Sequence, residues 1–245
     1  MPEIAQTADH ALRILEELGK GTPLTPTELC ERLGLHRSVV HRLLATLDAR
    51  GFVSKHGARY QLGVAMVRLS STVEPDLRAV AGPVMSKISD AIGESVVLDI
   101  LDGSQAVVLE QAVATLHIVQ ISHRIGSRHP LTSGASGRAI LAFLPARQLG
   151  RALREAPEPD VLKESLDDVR RRGYATSHDE LQLGVYGIAV PLLDREGHAF
   201  ASMAILVPSG RSGDLERHVD ALRAGAEEIQ SRCTRGLDDS DDSPR

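Results

Sequence analysis

The sequence predicts an α+β protein in which a small helical region with a hairpin precedes a domain with an antiparallel sheet. The chain has 245 residues, a length that suits one large or two ordinary domains. Its first third has the apolar spacing of short helices. The rest contains pairs of strand-like runs with helices gathered between them, and this arrangement is typical of the α+β class.

Composition excludes several classes of protein. The chain is 42% hydrophobic and 25% charged, which is average for a soluble globular protein. No apolar run approaches the roughly 18 residues of a membrane helix, and the N-terminus lacks a basic segment before an apolar one. We therefore expect no membrane partner and no secretion. Only Cys30 and Cys233 are cysteines, which leaves no disulfide framework and favours a reducing cytoplasm.

The N-terminal region predicts three helices and a hairpin. Apolar residues at helical spacing indicate a first helix that ends at Gly19. Thr25 and Glu28 can form a capping box at the start of the second helix, which ends at Gly34. The remaining predicted elements of this region are a third helix at residues 36–50 and strands at 52–54 and 59–62.

The third helix carries the strongest functional signal. One arc of about 100° is purely apolar, whereas the opposite arc is basic or small near the helix start. A helix that reads DNA needs this division, because one face packs on partner helices and the other reaches base edges. An ordinary three-helix unit with a solvated basic face is the alternative. We predict DNA contacts for Arg37, Ser38, His41 and Arg42 on the helix and phosphate contacts for Lys55 and Arg59 in the hairpin.

Local charge supports this prediction. Between Arg32 and Tyr60 the sequence has six basic residues and one acidic residue, although the whole chain has a net charge of −5. A basic patch of this kind suits the phosphate backbone of nucleic acid. The six aromatic residues of the chain are too few for a single-strand stacking platform, so double-stranded DNA is the expected partner.

The remaining chain alternates helices with strands. A break near Glu74 separates two helices, at residues 64–71 and 76–92, and Asp102-Gly103 predicts a hairpin turn. The last nine residues are polar and acidic, so we predict that residues 237–245 are disordered. The other predicted elements are strands at 95–101, 105–113, 117–125, 187–193 and 198–207, and helices at 136–144, 147–155, 162–172 and 215–235.

Three groups in the second half are candidates for chemistry. Residues 134–138 resemble a nucleophile elbow, but Arg138 stands where that motif needs glycine. We interpret them as a small-residue loop that opens a helix, whose N–H groups suit a carboxylate ligand, with a plain structural turn as the alternative. Residues 178–180 indicate a polar loop end, and a ligand contact there is left open. The third group is the evenly spaced His117, His123 and His129.

For these three histidines, surface or hydrogen-bonded positions are favoured over a metal site, because Gly126 and Pro130 interrupt the run. We expect neither a metal nor a cofactor in this protein.

Together these motifs resemble the IclR family of bacterial transcription regulators. Residues 29–47, 51–53 and 59–63 resemble its winged helix-turn-helix domain, and residues 126–145 resemble its signature loop and helix. The resemblance implies a winged helix-turn-helix domain at 1–65, a linker helix at 66–85 and a GAF-like effector-binding domain at 86–236. It also implies dimers or tetramers that act on DNA. The family's C-terminal motif is matched by residues 171–175, 179–180, 184–185 and 189–191.

The resemblance also implies where a small-molecule effector binds. In family members that bind small polar acids, the pocket uses the small-residue loop, a polar position, a cysteine and serines on the final strand. Here the cysteine position aligns with Gly187 and the serine positions with Ala204 and Leu206. The effector residues implied are Ser133, Gly134, Ala135, Ser136, Ser177, Val185, Gly187, Ala204 and Leu206, with Leu98 and Ile100 as further apolar walls.

These exchanges replace hydroxyls and a thiol with space and apolar surface. They predict a larger and less polar effector than a two- or three-carbon acid, such as an aromatic or acyl acid. Its carboxylate would lie at the N–H groups of residues 135–137. A pocket too collapsed to bind any ligand is the alternative.

The function expected from all these observations is a ligand-responsive DNA-binding regulator. We expect it to bind a roughly palindromic operator as a dimer or tetramer, while the effector shifts the population of DNA-competent arrangements. A hydrolase-like enzyme and a ligand-independent architectural DNA binder are the two alternatives. The first lacks a recognisable set of nucleophile, base and orienting group, and the second leaves a large separate domain without a role.

Overall fold

The computed structural model describes residues 4–238 of the chain. The chain divides into two compact units, Met1–Pro75 and Asp76–Arg245. The predicted α+β class is confirmed, with a helix-turn-helix unit first and an antiparallel sheet with helices second. None of the described helices is long and apolar enough to span a bilayer. Of the tail predicted to be disordered, residues 237 and 238 end the last helix, and 239–245 lie outside the described residues.

The first unit has the predicted three helices and a two-stranded wing. Its core lies where the apolar faces of the helices meet, and Ile14, Leu29 and Leu44 are fully buried there. Thr25 caps the second helix, because its Oγ1 accepts from the Glu28 N–H at 3.2 Å and its own N–H donates to the Glu28 carboxylate at 2.7 Å. The elements are α1 Gln6–Leu18, α2 Pro26–Leu33, α3 Arg37–Ala49, β1 Val53–His56, β2 Arg59–Leu62 and α4 Ala65–Ser70.

The second unit is built around a six-stranded sheet. Its elements are α5 Pro75–Ile92, β3 Ser95–Asp102, β4 Gln105–Ala112, β5 Arg128–Pro130, α6 Gly134–Leu141, α7 Ala146–Glu155, α8 Pro159–Arg172, β6 Ala175–His178, β7 Val185–Leu193, β8 Ala199–Pro208 and α9 Val219–Asp238. The spatial order is β5-β4-β3-β8-β7-β6, and all neighbouring strands are antiparallel. The two long hairpins, β3-β4 and β7-β8, therefore meet at the centre of the sheet.

Helices cover both faces of this sheet. α5 and α9 pack on one face, where Met85 and Met203 are fully buried. α6 and α8 pack on the opposite face, against Val97 and Ala204. Because both faces are covered, β8 is buried continuously from Ala201 to Val207. The face beneath α6 is the one that holds the predicted effector positions.

The strand predicted at residues 117–125 is wrong, because this stretch is irregular. A turn follows it, in which Gly126 adopts φ +82° and its N–H donates to the Val108 carbonyl at 2.7 Å. The short strand β5 then takes the edge position beside β4. Ile118 is fully exposed, so the apolar residues of this stretch do not mark a buried strand face.

The residues predicted as one linker helix, 66–85, hold parts of two helices. α4 ends at Ser70 and α5 begins at Pro75. Much of α5 belongs to the core of the second unit, since Leu77, Ala81 and Met85 are buried in it. The second compact unit begins at Asp76, and the start of the effector-binding domain at residue 86 stays a prediction.

Candidate functional site

The third helix, α3, has the division between faces that the sequence predicts. Its apolar residues Val40, Leu43, Leu44 and Leu47 are buried in the core of the first unit. The opposite face is solvent-exposed and begins at the N-terminus of the helix, where a DNA-reading helix makes its base contacts. The exposed side chains on this face are Arg37, Ser38, His41 and Arg42.

Two of these side chains form a hydrogen bond with each other. The Arg37 Nε donates to the His41 Nε2 at 3.4 Å, one helical turn along α3. The wing adds a further cation, because Lys55 is exposed on β1 with its Nζ 5.9 Å from the centre of the Tyr60 ring. The first unit thus presents basic side chains on both its third helix and its wing.

Arg59 is engaged within the first unit. Its Nη1 donates to the Pro23 carbonyl at 2.8 Å and to the Glu28 carboxylate at 3.1 Å. Glu28 is the residue that also completes the cap of α2, and the Thr25 N–H is the main reason that the pKa of Glu28 is lowered. A phosphate contact by Arg59 stays a prediction, and it requires a phosphate to compete with Glu28 for the guanidinium.

This competition gives different expectations for the two wing cations. The Lys55→Ala variant should flatten the slope of log affinity against log salt by about 0.9, the value for one phosphate contact. Arg59→Ala should flatten it by less than half as much, because Glu28 already balances the charge of Arg59. Fluorescence anisotropy of labelled DNA at several salt concentrations measures both slopes. Lys87→Ala, which removes the same charge from the second unit, is the control. Equal changes for both wing variants would contradict this account.

In the second unit, five of the predicted effector residues line one small cavity at the N-terminus of α6. The cavity has a volume of about 20 Å³, which is close to the room that one water molecule needs. Its floor comes from β6, β7 and β8 and its roof from the start of α6 and the loop after β6. The lining residues are His123, His129, Ala135, Ser136, Ser177, Glu180, Leu181, Gln182, Val185 and Leu206.

Three of the other four predicted positions pack beside residues that line this cavity. A Cβ on Gly187 would stand 2.9 Å from the Ser177 Oγ and 3.3 Å from Leu206, so these two lining residues already occupy the room that a side chain would need. Ala204 is buried in the same apolar cluster as Ala135. Gly134 lies under Leu181, and Ser133 lines a separate open cleft near α8. These site assignments remain predictions that ligand binding must test.

Leu98 and Ile100 do not form walls of this cavity. Both pack in the apolar cluster beneath α5 and α9, on the opposite face of the sheet. On the side of α6, β3 instead presents Val97 and, two residues on, the buried Asp99. The expected apolar walls on β3 are therefore absent from the lining of this cavity.

The first backbone N–H of α6 already has an acceptor, which is a carboxylate of the protein itself. The Gly134 N–H donates to the Glu180 Oε2 at 2.8 Å. Arg138 holds the same carboxylate with two donors, at 2.5 Å and 2.7 Å, and also donates to the Thr176 carbonyl. Burial tends to raise the pKa of Glu180, but Arg138 and the Gly134 N–H outweigh it, so the pKa is lowered. Glu180 therefore ties the loop after β6 to the start of α6.

A second charged pair lies at the cavity and was not foreseen from the sequence. The buried His129 places its Nε2 3.5 Å from the Asp99 Oδ1, and its Nδ1 is 3.3 Å from the Pro130 carbonyl. Burial opposes a charge on His129, yet the Asp99 carboxylate and nearby carbonyls outweigh it and raise its pKa. Burial lowers the pKa of His123, the other histidine of the cavity. Within residues 4–238, no group of three potential ligands is placed to hold a metal ion.

Comparison with known proteins identifies the family. The model of the IclR helix-turn-helix domain matches residues 7–57, and that of the bacterial transcriptional regulator IclR C-terminal domain matches residues 69–231. The HTH-type transcriptional regulator BhcR of Paracoccus denitrificans is 32% identical over 242 residues, which cover 90% of this chain and 85% of that protein.

Solved structures share the fold. An IclR transcriptional regulator from Alicyclobacillus acidocaldarius matches 94% of this chain and 99% of its own, with a TM-score of 0.81 and 27% identity. An IclR homolog from Microbacterium hydrocarbonoxydans, complexed with 4-hydroxybenzoate, matches 92% of this chain and 98% of its own at 22% identity and a TM-score of 0.81.

The curated relatives are named as transcriptional regulators or repressors, not as enzymes, which sets the hydrolase alternative aside. The chain belongs to the IclR family of transcriptional regulators, with a helix-turn-helix DNA-binding domain and a ligand-binding C-terminal domain.

Proposed function

We propose that this protein binds a roughly palindromic operator as a dimer or tetramer in the cytoplasm, and that a relatively apolar carboxylic acid in the cavity beside α6 regulates this binding. The observation that carries the proposal is the cavity itself. It joins the positive N-terminal end of a helix to walls that are mainly small or apolar, including Ala135, Val185 and Leu206. The DNA-binding half rests on the exposed basic face of α3.

Exposed apolar side chains in the first unit support self-association. Leu12 on α1 and Val64 and Val67 at α4 are large apolar residues with 59%, 83% and 69% of their surface exposed. Apolar surface left open in this way is typical of sites covered by a partner. A symmetric pair of helix-turn-helix units reads two half-sites about one turn apart or multiples of that, which is why we expect an inverted repeat in the operator.

Selection from random-sequence DNA tests this half of the proposal. The recovered sites should contain an inverted repeat, and light scattering of the free protein at micromolar concentration should give the mass of a dimer or tetramer. A strict monomer that selects a single asymmetric half-site would contradict it.

For the effector, the start of α6 supplies the polar contacts. The amides of Ala135 and Ser136 are among the first of the helix, which no intrahelical carbonyl can reach. The Ser136 and Ser177 hydroxyls line the same cavity. A carboxylate can bind at these groups beside Glu180, while an aromatic ring or acyl chain lies on Val185 and Leu206. The 4-hydroxybenzoate bound to the Microbacterium homolog makes aromatic acids a reasonable class to test here.

The cavity must widen to hold such a ligand, since pockets for small molecules usually exceed about 300 Å³. Leu181 covers the start of α6 and is the side chain that has to move. The narrow cavity also favours one alternative, a DNA binder that responds to no ligand.

Calorimetry with a panel of acids separates these possibilities. Benzoate, hydroxybenzoates and hexanoate should bind, whereas glyoxylate and pyruvate should bind at least about tenfold more weakly, because their polar ends would face apolar walls. Preference for the two short acids would refute the proposed effector class. Absence of any binding would favour the ligand-independent alternative.

Gly187→Val tests whether the cavity is the binding site. The added side chain would overlap the Ser177 hydroxyl and Leu206 and push these two lining residues into the cavity, so we expect acid affinity to fall by about tenfold or more. Overpacking of this kind costs about 1–3 kcal/mol of stability, although valine itself suits a strand. Melting temperature and operator binding are the controls. Unchanged acid affinity in this variant would place the effector elsewhere.

A further inference from the structure

Three buried polar side chains beside the cavity are not used by the proposed carboxylate site. Asp99 is 1% exposed and Ser202 is fully buried, and the two residues face each other across β3 and β8. His129, which lines the cavity, stands with its Nε2 3.5 Å from the Asp99 Oδ1. The three residues therefore form one polar group next to the apolar side chains that pack between α6 and the sheet.

Two atoms of this group lack hydrogen-bond partners. Neither the Asp99 Oδ1 nor the Ser202 Oγ has one, and the Asp99–His129 distance is that of an ion pair rather than a good hydrogen bond. A buried polar atom without a partner is destabilising, so such atoms are rare in folded proteins and often mark a functional role. A ligand that reaches these atoms would satisfy them.

The charges of the group select the kind of ligand. Asp99 is an acid whose proximity raises the pKa of His129, whereas burial lowers the pKa of His123. A second carboxylate on the effector would meet the buried Asp99, and an ammonium group would meet His129, whose protonated form Asp99 favours. An uncharged hydroxyl can donate to the Asp99 Oδ1 and accept from the Ser202 hydroxyl or His129.

We propose that Asp99, His129 and Ser202 form a second polar subsite of the effector pocket, which binds a hydroxyl group that the effector carries in addition to its carboxylate. The inference rests on the proposed function, because it takes the cavity beside α6 as the effector site. It narrows the effector from apolar acids in general to hydroxy acids, and it makes these three residues determinants of specificity.

The test compares each hydroxy acid with its parent acid by calorimetry. We would use benzoate with its three hydroxy isomers, and hexanoate with 6-hydroxyhexanoate. In the wild type the best hydroxy acid of a set should bind at least about tenfold more tightly than its parent, as expected for a hydrogen bond to a charged group. In Asp99→Asn and Ser202→Ala this advantage should fall below about threefold, while the parent acids keep their affinity. In His129→Phe the hydroxy acids should lose more affinity than their parent acids.

If Asp99→Asn or His129→Phe folds poorly, the Ser202→Ala variant can still decide the test. It exchanges an unsatisfied buried hydroxyl for a methyl group, which should leave the melting temperature unchanged or raise it. A purely structural role of the cluster would change melting temperatures without changing the preference for the hydroxyl.

Three results would overturn the inference. The first is a wild-type protein that binds no hydroxy acid better than its parent. The second is a hydroxyl advantage that persists in all three variants. The third is an equal loss of affinity for hydroxy and parent acids in His129→Phe, which would assign His129 to the carboxylate instead. If no acid binds at all, the proposed effector class fails and this inference fails with it, whereas binding without a hydroxyl preference refutes the inference alone.

Discussion

Replacing Arg37 and Arg42 together by alanine should lower the affinity for the selected operator by about 30-fold to 10⁴-fold. A side chain that reads a base contributes roughly 1–3 kcal/mol of discrimination, and two such losses add to about 2–6 kcal/mol. Both arginines are exposed on the face of α3 opposite its buried residues, and Arg37 contacts His41 on the same face. Fluorescence anisotropy with operator and scrambled duplexes measures the loss.

The control is Arg50→Ala, which removes one positive charge at the C-terminal end of α3. It should reduce binding to operator and scrambled DNA by similar small factors, because only nonspecific attraction is lost. The double variant should instead lose most of its preference for the operator. Wild-type operator affinity in the double variant would show that α3 is not the reading helix.

Replacing Glu180 by alanine should destabilise the second unit by about 2–3 kcal/mol at neutral pH. Its partner Arg138 is only 12% exposed, so the change leaves a nearly buried cation without its carboxylate. Removal of one member of a fully buried pair costs roughly 3–5 kcal/mol, and Glu180 itself is partly exposed, which reduces the effect. The Gly134 N–H also loses its acceptor. Urea unfolding of the second unit measures the difference.

The pH dependence of this difference follows from the lowered pKa of Glu180. Because the folded pKa lies below the ordinary value of 4.5, the stabilisation is fully present above 4.5 and is lost as the pH falls through the folded pKa. Glu155→Ala is the control, since it breaks an exposed i,i+4 pair with Arg151 and should cost less than about 0.5 kcal/mol. Equal small losses for both variants would mean that the Glu180 pair does not hold the loop to α6.

Local signals in the sequence were sufficient to predict the helices and strands of the first unit. The capping box at Thr25 and the apolar arc of α3 involve residues within one or two turns of each other. Such patterns are set by helix geometry, which is the same in every protein. The predicted helices and wing were confirmed for this reason, and the family resemblance rests on the same residues.

Local sequence patterns could not show which side chains of the central strands point to which face of the sheet. β3 is buried on both sides from Ser95 to Asp99, so its sequence has no alternation that distinguishes one face from the other. Leu98 was therefore predicted on the effector side although the pairing with β8 places it on the other. A register is fixed by contacts between strands that are far apart in the chain, and a single sequence does not reveal it.

The charged pairs of the pocket were missed for a related reason. Glu180 binds Arg138, 42 residues earlier in the chain, and His129 pairs with Asp99 in another strand. No spacing rule connects such residues, because the fold alone brings them together. In the sequence, Glu180 and His129 could be recognised only as titratable residues near a glycine-rich or histidine-containing segment. Their position in the sequence did not identify the partner of either residue.

The most direct test of the whole account is the affinity for operator DNA measured with and without a saturating hydroxy acid. If the acid binds beside α6 and biases the DNA-competent arrangement, the operator affinity should change by about 5-fold to 150-fold, and the operator should change the acid affinity by the same factor. Gly187→Val should bind the operator but no longer respond to the acid. An acid that binds tightly yet leaves the operator affinity unchanged would contradict the account.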